Sequence, residues 1–329
     1  MKRTLVILIT SLLLLAACSP AAQSSGELIP ITLPSGYIPN VQFAPLYVAI
    51  EKGFYRDAGL DVAIDYNMEN DNVALLGVGD LDFAIASGEQ VLLGQNQELP
   101  VVYVLAWYQD FPVGVVSLAE QDIRTPADLA GKQIGIPGLY GASYIGFRAL
   151  LQANDMQEND LTLDSIGYTT VEALVNHQDD AVVIYVSNEP IQLRALGYDI
   201  RTLRVSDYTS LVGNGLITNQ QVIEEKPELV KAMVKATWQG IRYTSEHPDE
   251  AFEICKQYVD NLAQLTPAEQ EVQRQVLEAS IALYHVEQNG ATDLATWQNM
   301  QSILLEMGLL NGELDLSHVF SNAYLPQAD

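Results

Sequence analysis

The stretch Leu46-Tyr-Val-Ala-Ile-Glu-Lys-Gly-Phe-Tyr-Arg-Asp-Ala-Gly-Leu-Asp-Val62 contains the pattern that decides the fold class. Its first half belongs to a helical pattern over residues 41–52, and Gly53 stands where a helix commonly ends. Its second half begins an alternating apolar run over residues 60–64, which is typical of a half-buried strand. A helix that leads directly into a strand predicts an α/β architecture.

The same alternation of strand and helix patterns continues along the chain. Strands are predicted at 28–33, 60–64, 83–86, 101–106, 132–136, 161–166, 181–185 and 200–205. A second unit begins near Val113, and residues 211–218 are predicted to return to the first unit. Helices are predicted at 72–76 and 141–153, and throughout the region after Asn219, where Pro227 and Pro248 mark two helix starts.

Length and charge limit the possible functions. The 329 residues correspond to about two domains, and 48% hydrophobic residues are enough for packed cores. Asp plus Glu number 42 against 16 Lys plus Arg, so the net charge is -26. Such an acidic protein repels phosphate backbones and anionic membrane surfaces, which excludes nucleic acid as a partner. Two cysteines are too few for a disulfide scaffold or a multi-cysteine metal site.

The first segment has the organisation of a signal peptide. Lys2 and Arg3 precede an apolar run over residues 5–15, which is shorter than the ~20 residues that span a bilayer. The run ends in Leu15-Ala16-Ala17-Cys18, which resembles the bacterial lipobox. We therefore predict a signal peptide over 1–17, lipidation of Cys18, and a flexible tether over 18–28 that holds the protein on the extracytoplasmic face of the cell membrane. The alternative is an ordinary cleaved signal with an incidental cysteine.

The sequence gives no positive support for catalysis. The four histidines are scattered, and none has a second ligand at metal-binding spacing. Ser143 misses a nucleophile elbow by one position, and the pairs Gly77-Val-Gly79 and Gly213-Asn-Gly215 lack the third glycine of a dinucleotide loop. We predict no catalytic residue, no metal site and no cofactor.

Aromatic residues recur at the predicted strand ends and turns. Ligands of open α/β sheets bind beyond the carboxyl ends of strands, and aromatic faces there can hold a flat ring by stacking. Any one of these residues is more commonly a packing residue, but recurrence at five loops favours a ligand site. The candidate aromatic residues are Tyr37, Phe43, Trp107, Tyr108, Tyr140, Tyr144 and Tyr185, and the candidate hydrogen-bonding residues are Asn40, Glu89, Asn188 and Glu189.

Several segments together resemble one family. Residues 46–62, 75–90 and 123–132, with 224–231 and 246–251 in the helical end, are similar to the NMT1/THI5-like substrate-binding proteins of ABC importers. The resemblance implies a type II periplasmic-binding-protein fold, in which two α/β lobes enclose a ligand cleft. We expect one lobe at 29–113 plus 212–329 and the other at 114–211. An ABC permease and its ATPase are the implied partners.

The first turn bears on the ligand that the resemblance implies. Members of this family bind flat heteroaromatics such as thiamine pyrimidine precursors and riboflavin, and relatives bind sulfonates. Pyrimidine-binding members tend to have P-N-T-x-H-T-G at this turn, whereas this chain has Pro39-Asn-Val-Gln-Phe-Ala-Pro45. Phe43 and Ala44 replace the polar His and Thr, which suits a larger and more apolar ring system. No Lys or Arg stands among the candidate site residues, which disfavours a sulfonate.

These observations favour a lipid-anchored binding protein that captures a flat heteroaromatic vitamin and delivers it to a permease. Riboflavin ranks ahead of a thiamine pyrimidine precursor. A pyrimidine-synthase-like enzyme ranks lower, because the signal peptide suits secretion and the cysteine-rich run of the fungal synthases is absent. A sensor lobe for a membrane partner is a further alternative.

Overall fold

A computed structural model of the protein describes residues 27–327. The predicted signal peptide, Cys18 and almost all of the predicted tether lie outside the described residues. Between residues 27 and 327, no helix combines the length and the apolar character that crossing a membrane requires.

Ten strands are formed by the described residues, and most of them begin or end within two residues of the predicted bounds. They are β1 (Ile29–Ser35), β2 (Leu60–Tyr66), β3 (Phe83–Ser87), β4 (Val101–Ala106), β5 (Val113–Leu118), β6 (Gln133–Ile136), β7 (Thr162–Ser165), β8 (Ala181–Tyr185), β9 (Ile200–Arg204) and β10 (Asn214–Asn219).

Twelve α-helices connect and cover these strands in the same part of the chain. They are α1 (Ala44–Glu51), α2 (Phe54–Asp57), α3 (Glu69–Gly77), α4 (Gly88–Asn96), α5 (Gly141–Gln152), α6 (Thr170–Val175), α7 (Glu189–Ala195), α8 (Gln220–Glu225), α9 (Pro227–Glu246), α10 (Pro248–Cys255), α11 (Pro267–Ile281) and α12 (Leu294–Glu306).

The strands form two five-stranded mixed sheets. The first has the order β2-β1-β3-β10-β4, and the second has the order β7-β6-β8-β5-β9. β10 runs antiparallel to β3 and β4, and β5 runs antiparallel to β8 and β9. Each of these antiparallel strands, β5 and β10, is the first strand of its sheet that the chain enters after it crosses from the other sheet. The predicted α/β class with two lobes is confirmed.

Burial follows the sequence patterns that predicted the strands. β2 alternates between buried and exposed residues at its start, whereas every residue of β3, β4 and β5 is buried. Continuous burial is typical of strands covered on both faces. Gly53, with φ +77°, separates α1 from α2, and this left-handed conformation costs glycine little.

The chain crosses between the sheets twice, at residues 107–112 and 205–213. Hydrogen bonds join the first crossing to the start of β10, directly after the second crossing. The backbone N–H groups of Trp107 and Tyr108 donate to the carbonyl oxygen of Asn214 at 3.1 and 3.0 Å. The lobe bounds expected from the sequence, 29–113 plus 212–329 and 114–211, stay a prediction; Val113 is the first residue of β5 in the second sheet.

One apolar core runs from the first sheet to the second. Phe111, in the first crossing, is buried between residues of both sheets. It packs on Gly146 of α5, where a Cβ atom would clash with the Phe111 ring. This contact brings the amino-terminal end of α5 over the gap between the sheets, next to the candidate site.

Candidate functional site

A cavity of about 700 Å³ lies between the two sheets. Most of its lining comes from segments that follow the carboxyl ends of seven strands: β1, β2, β3, β4, β6, β7 and β8. This is the place at which open α/β sheets bind ligands, because loops from several strands converge there. The volume is within the range of about 300–1,000 Å³ that is usual for small-molecule sites.

The cavity brings together nine of the eleven side chains predicted from the sequence. They are Tyr37, Phe43, Trp107, Tyr108, Tyr140, Tyr144, Tyr185, Asn188 and Glu189. The other two, Asn40 and Glu89, are not among the residues that line it.

Asn40 supports the first turn instead of facing the cavity. Its Oδ1 accepts a hydrogen bond of 3.0 Å from the backbone N–H of Gln42, which caps the short 3₁₀ turn Val41–Phe43. The turn directs Gln42 and Phe43 into the cavity lining. Gln42 also joins the lobes, since its Nε2 donates to Ser187 Oγ at 2.9 Å. The turn predicted from the sequence thus contributes Gln42 and Phe43 to the cavity lining, while Asn40 holds the turn in place.

Glu89 is fully buried behind the cavity wall. Its Oε1 lies 2.5 Å from the hydroxyl of Ser87, and that hydroxyl lies 2.6 Å from Oε2 of Glu69, a lining residue. Burial, followed by the neighbouring charge of Glu69, raises the pKa of Glu89 to about 8. Burial also raises the pKa of Glu69, although the hydrogen bonds from Ser87 and Asn214 oppose this effect.

Polar side chains that the prediction missed form the inner wall of the cavity. We use this name for Gln42, Glu69, Gln90 and Asn214, of which Glu69 is half-buried and the other three are buried. Asn214 connects two of the lining groups, because its Nδ2 donates to Glu69 Oε1 at 3.1 Å and its Oδ1 accepts from Tyr185 Oη at 3.3 Å. Asn214 therefore links Glu69 to Tyr185, whereas Gln42 is hydrogen-bonded separately to Ser187.

Aromatic rings cover the first-lobe side of the cavity. Phe43 stands edge-on to Trp107, with ring centroids 6.1 Å apart, and Trp107 packs beside Tyr108 at 6.0 Å. Trp107 and Tyr108 are almost completely buried, so each offers only part of its surface to a ligand.

The aromatic rings on the second-lobe side are more open. Tyr140 and Tyr168 are each 56% exposed, and the Tyr37 ring meets the Tyr168 ring edge-on across the cleft at 5.0 Å. The hydroxyl of Tyr144 donates to Glu158 at 2.8 Å, which leaves the ring of Tyr144 for the cavity. Together with Met68 and Leu139, Tyr140 and Tyr168 form an apolar rim around the opening.

Glu189 adds a third carboxyl group with an altered pKa. Its Oε2 accepts a hydrogen bond of 3.1 Å from the backbone N–H of Tyr185. Burial raises its pKa to about 7, so it is partly protonated near neutral pH. Burial, and then the charge of Glu189, raises the pKa of Tyr37 to about 12, which keeps this phenol protonated.

The sequence match that defines the family covers most of this site. The NMT1/THI5 like family model matches residues 40–251, which is more than half of the chain. This chain belongs to the NMT1/THI5-like family. The resemblance found in the sequence is thereby confirmed.

Relatives of this NMT1/THI5-like protein include binding proteins and enzymes. It is 35% identical to the riboflavin-binding protein RibY of Chloroflexus aurantiacus, over 98% of both chains. It is 30% identical to the formylaminopyrimidine-binding protein of Halalkalibacterium halodurans, over 91% of this chain and 92% of that protein. Identity falls to 24% with a 4-amino-5-hydroxymethyl-2-methylpyrimidine phosphate synthase of Legionella pneumophila, over 90% of this chain and 92% of the enzyme.

Solved structures show the same fold. The alkanesulfonate-binding protein SsuA of Xanthomonas axonopodis pv. citri, bound to MOPS, superimposes with a TM-score of 0.69 at 15% identity, covering 90% of this chain and 99% of SsuA. The NMT1/THI5-like protein therefore has the fold of a periplasmic substrate-binding protein, as the sequence predicted.

The cavity of this family member is suited to an uncharged ligand. None of the described residues that line it is Lys, Arg or His. Among residues 27–327, no cluster of three or more His, Cys, Asp or Glu side chains has the arrangement of a metal site. A sulfonate or phosphate would meet no cation there, and it would lie near the carboxyl groups of Glu69 and Glu189.

Proposed function

We propose that this protein is the ligand-capturing component of an ABC importer, and that it binds riboflavin in the cavity between its two lobes. The observation that carries the proposal is the combination of an aromatic wall, a polar inner wall and no cationic residue in one cavity of about 700 Å³. A flavin has matching chemistry, since its three-ring system is flat and apolar at one end and carries N–H and carbonyl groups at the other. The identity of 35% to a riboflavin-binding protein supports the same ligand.

A thiamine pyrimidine precursor is the second candidate. The identity of 30% to a formylaminopyrimidine-binding protein favours it. A single pyrimidine ring would reach either the inner wall or the open rim, whereas a three-ring ligand contacts both. Phe43 stands at a position where pyrimidine-binding members tend to have histidine, and its ring packs against Trp107 instead of offering a polar group.

Binding and catalysis are distinguished by turnover. We expect one riboflavin to bind per chain and to be recovered unchanged after prolonged incubation. A chemically altered product that accumulates beyond one equivalent would identify the protein as an enzyme. Calorimetric titration with riboflavin, a hydroxymethyl-pyrimidine and an alkanesulfonate, together with chromatography of the released ligand, makes this test.

We also propose that a lipid on Cys18 holds the protein on the extracytoplasmic face of the cell membrane, where a permease and its ATPase receive the ligand. The lipobox-like sequence before Cys18 supports this assignment. Removal of the signal peptide takes Lys plus Arg from 16 to 14 and the net charge from -26 to -28. Because a protein this acidic gains nothing from an anionic bilayer surface, the acyl chains supply the attachment.

A further inference from the structure

Ser87 lies between two carboxyl groups at the inner wall of the cavity. Its Oγ is 2.6 Å from Glu69 Oε2 and 2.5 Å from Glu89 Oε1. A serine hydroxyl has one proton and can donate it to only one of these oxygens. The second short contact therefore requires a proton on one of the two carboxyl groups.

The surroundings of the two carboxyl groups decide which of them carries that proton. Glu69 accepts two further hydrogen bonds, from the backbone N–H of Ser87 at 3.1 Å and from Asn214 Nδ2 at 3.1 Å. Glu89 is fully buried, and among the described residues its Oε2 has no hydrogen-bond partner. Donors stabilise the ionised form of Glu69, while burial with few donors favours the neutral form of Glu89. The proton thus stays on Glu89, which donates to Ser87, and Ser87 donates to Glu69.

The same network leaves one acceptor position free on Glu69. A carboxylate has about four lone-pair positions, and the two Ser87 donors and Asn214 occupy three of them. The fourth belongs to Oε1, and Glu69 lines the cavity. Asn214 keeps its Nδ2 toward Glu69, because a flipped amide would bring its oxygen against the carboxylate.

The packing around Glu69 fixes its position as well as its charge. A Cβ atom at Gly36 would lie 2.6 Å from Glu69 Cγ, so glycine at residue 36 leaves room for this side chain beside β1. Glu69 is also the first residue of α3. An anion is favourable in the first turn of a helix. A fixed acceptor of this kind discriminates between ligands more sharply than a mobile one.

We propose that Glu69 determines ligand specificity in this cavity, by accepting a hydrogen bond from a ring N–H on the polar edge of the ligand. The inference rests on the proposed function and deepens it, because it orients the flavin. The edge that carries N3–H faces Glu69, and the apolar edge lies at the rim beside Met68, Leu139 and Tyr140. The ligand class is then a neutral heteroaromatic with an imide or amino N–H, and ring systems alkylated at that nitrogen are rejected.

The test compares two ligands that differ only at the nitrogen in question. Riboflavin and N3-methylriboflavin are titrated by calorimetry into the wild-type protein and into Glu69→Gln. We expect the methyl group to weaken wild-type binding about ten- to a hundredfold, the usual effect of losing a hydrogen bond to a charged group. In Glu69→Gln riboflavin should bind about tenfold or more weakly, and the preference between the two ligands should fall below about twofold. Asp71→Asn is the matched control, because Asp71 is an exposed acidic residue of α3 outside the cavity lining, and it should keep the wild-type preference.

Each other outcome overturns the inference. Equal affinity of the wild-type protein for both ligands would show that no residue accepts a hydrogen bond from N3–H, while the proposed function would stand. A preference that survives in Glu69→Gln would assign the recognition to another residue. The wild-type comparison needs no variant, so the inference remains testable if Glu69→Gln fails to fold. A wild-type protein that binds neither riboflavin nor its methyl derivative would overturn the proposed function and this inference together.

Discussion

At the scale of single residues, the open ring of Tyr140 offers the clearest test of stacking. Most of its surface is accessible, so its removal leaves the packed core intact. We expect Tyr140→Ala to weaken riboflavin binding about tenfold, since one aromatic stacking pair contributes about 0.5–1.5 kcal/mol beyond its buried area. Tyr140→Phe should bind nearly as well as the wild type.

The affinities of these Tyr140 variants for riboflavin are measured by the quenching of flavin fluorescence during titration. Tyr208→Ala serves as the control, because Tyr208 is a partly exposed tyrosine outside the cavity lining. Wild-type affinity in Tyr140→Ala would remove this ring from the site.

The buried carboxyl group of Glu89 makes a second prediction, on stability. Its pKa of about 8 lies above the usual 4.5, so the folded protein holds a proton that the unfolded chain releases between these values. The free energy of unfolding therefore falls as the pH rises through this window, by about 1.4 kcal/mol per pH unit for each such group. Glu189, with its pKa of about 7, adds to the fall below pH 7.

Urea unfolding at pH 5, 6, 7 and 8 measures how much of this pH-dependent loss of stability comes from Glu89. Because glutamine stays neutral at every pH, Glu89→Gln should lose less stability than the wild type between pH 5 and 8. Glu278→Gln, an exposed position on α11, should follow the wild-type curve. Parallel curves for the wild type and Glu89→Gln would mean that Glu89 is ionised in the folded protein.

At the scale of secondary structure elements, helix α5 packs closely against the first crossing. Gly146 of α5 faces Phe111, and an added methyl group would overlap its ring. Alanine normally stabilises a helix relative to glycine by about 1 kcal/mol. Here we expect the opposite sign, because overpacking of a core usually costs about 1–3 kcal/mol.

The urea midpoint of Gly146→Ala should therefore fall. Gly312→Ala is a suitable control, since no neighbouring atom lies within 4 Å of its added Cβ. An unchanged or higher midpoint in Gly146→Ala would show that α5 can move away from Phe111 at little cost.

Local patterns were sufficient for eight of the ten strands of the described residues but not for β5, β10 and several helices. β8 was predicted at its observed bounds, because an apolar run between turn residues has few alternatives. Helix α4 was missed, since Gly88 and Gly94 weaken the helical pattern. The side chain of Ser87, which is in the N-cap position of α4, bonds to Glu69 and Glu89 instead of the helix.

Local sequence patterns also could not predict the hydrogen-bonded pairs of the site. The aromatic candidates were found because they follow strand ends, which is a local property. The contact between Glu69 and Asn214 joins residues 145 positions apart and depends on the crossing of the chain between sheets. Gln42 and Ser187 are likewise 145 residues apart. No local pattern specifies such pairs, so the inner wall became visible only in the folded chain.

At the scale of the whole molecule, the proposed anchoring depends on Cys18. We expect Cys18→Ala to be found in the soluble fraction or as an unprocessed precursor, because it lacks the thiol to which we assign the lipid. Labelling with a fatty-acid analogue, followed by membrane fractionation, measures this. Cys255→Ala is the control, since the buried Cys255 lies far along the chain and should leave the labelling unchanged. A labelled, membrane-bound mature form of Cys18→Ala would contradict the lipobox assignment.

Under the proposed function, the two-lobe arrangement allows one cavity to hold a ligand and then to release it. Contacts such as that between Gln42 and Ser187 join the lobes across the cleft. Closure of two lobes about their crossings encloses a ligand, and opening at a permease releases it. The central claim is that the enclosed ligand is a flavin.

Calorimetric titration of the wild-type protein with riboflavin, beside a hydroxymethyl-pyrimidine, tests that claim most directly. We predict one riboflavin bound per chain, with a dissociation constant well below about 1 μM, and pyrimidine binding at least about tenfold weaker. Flavin fluorescence should fall as the complex forms. Tight binding of the pyrimidine with no detectable binding of riboflavin would contradict the account.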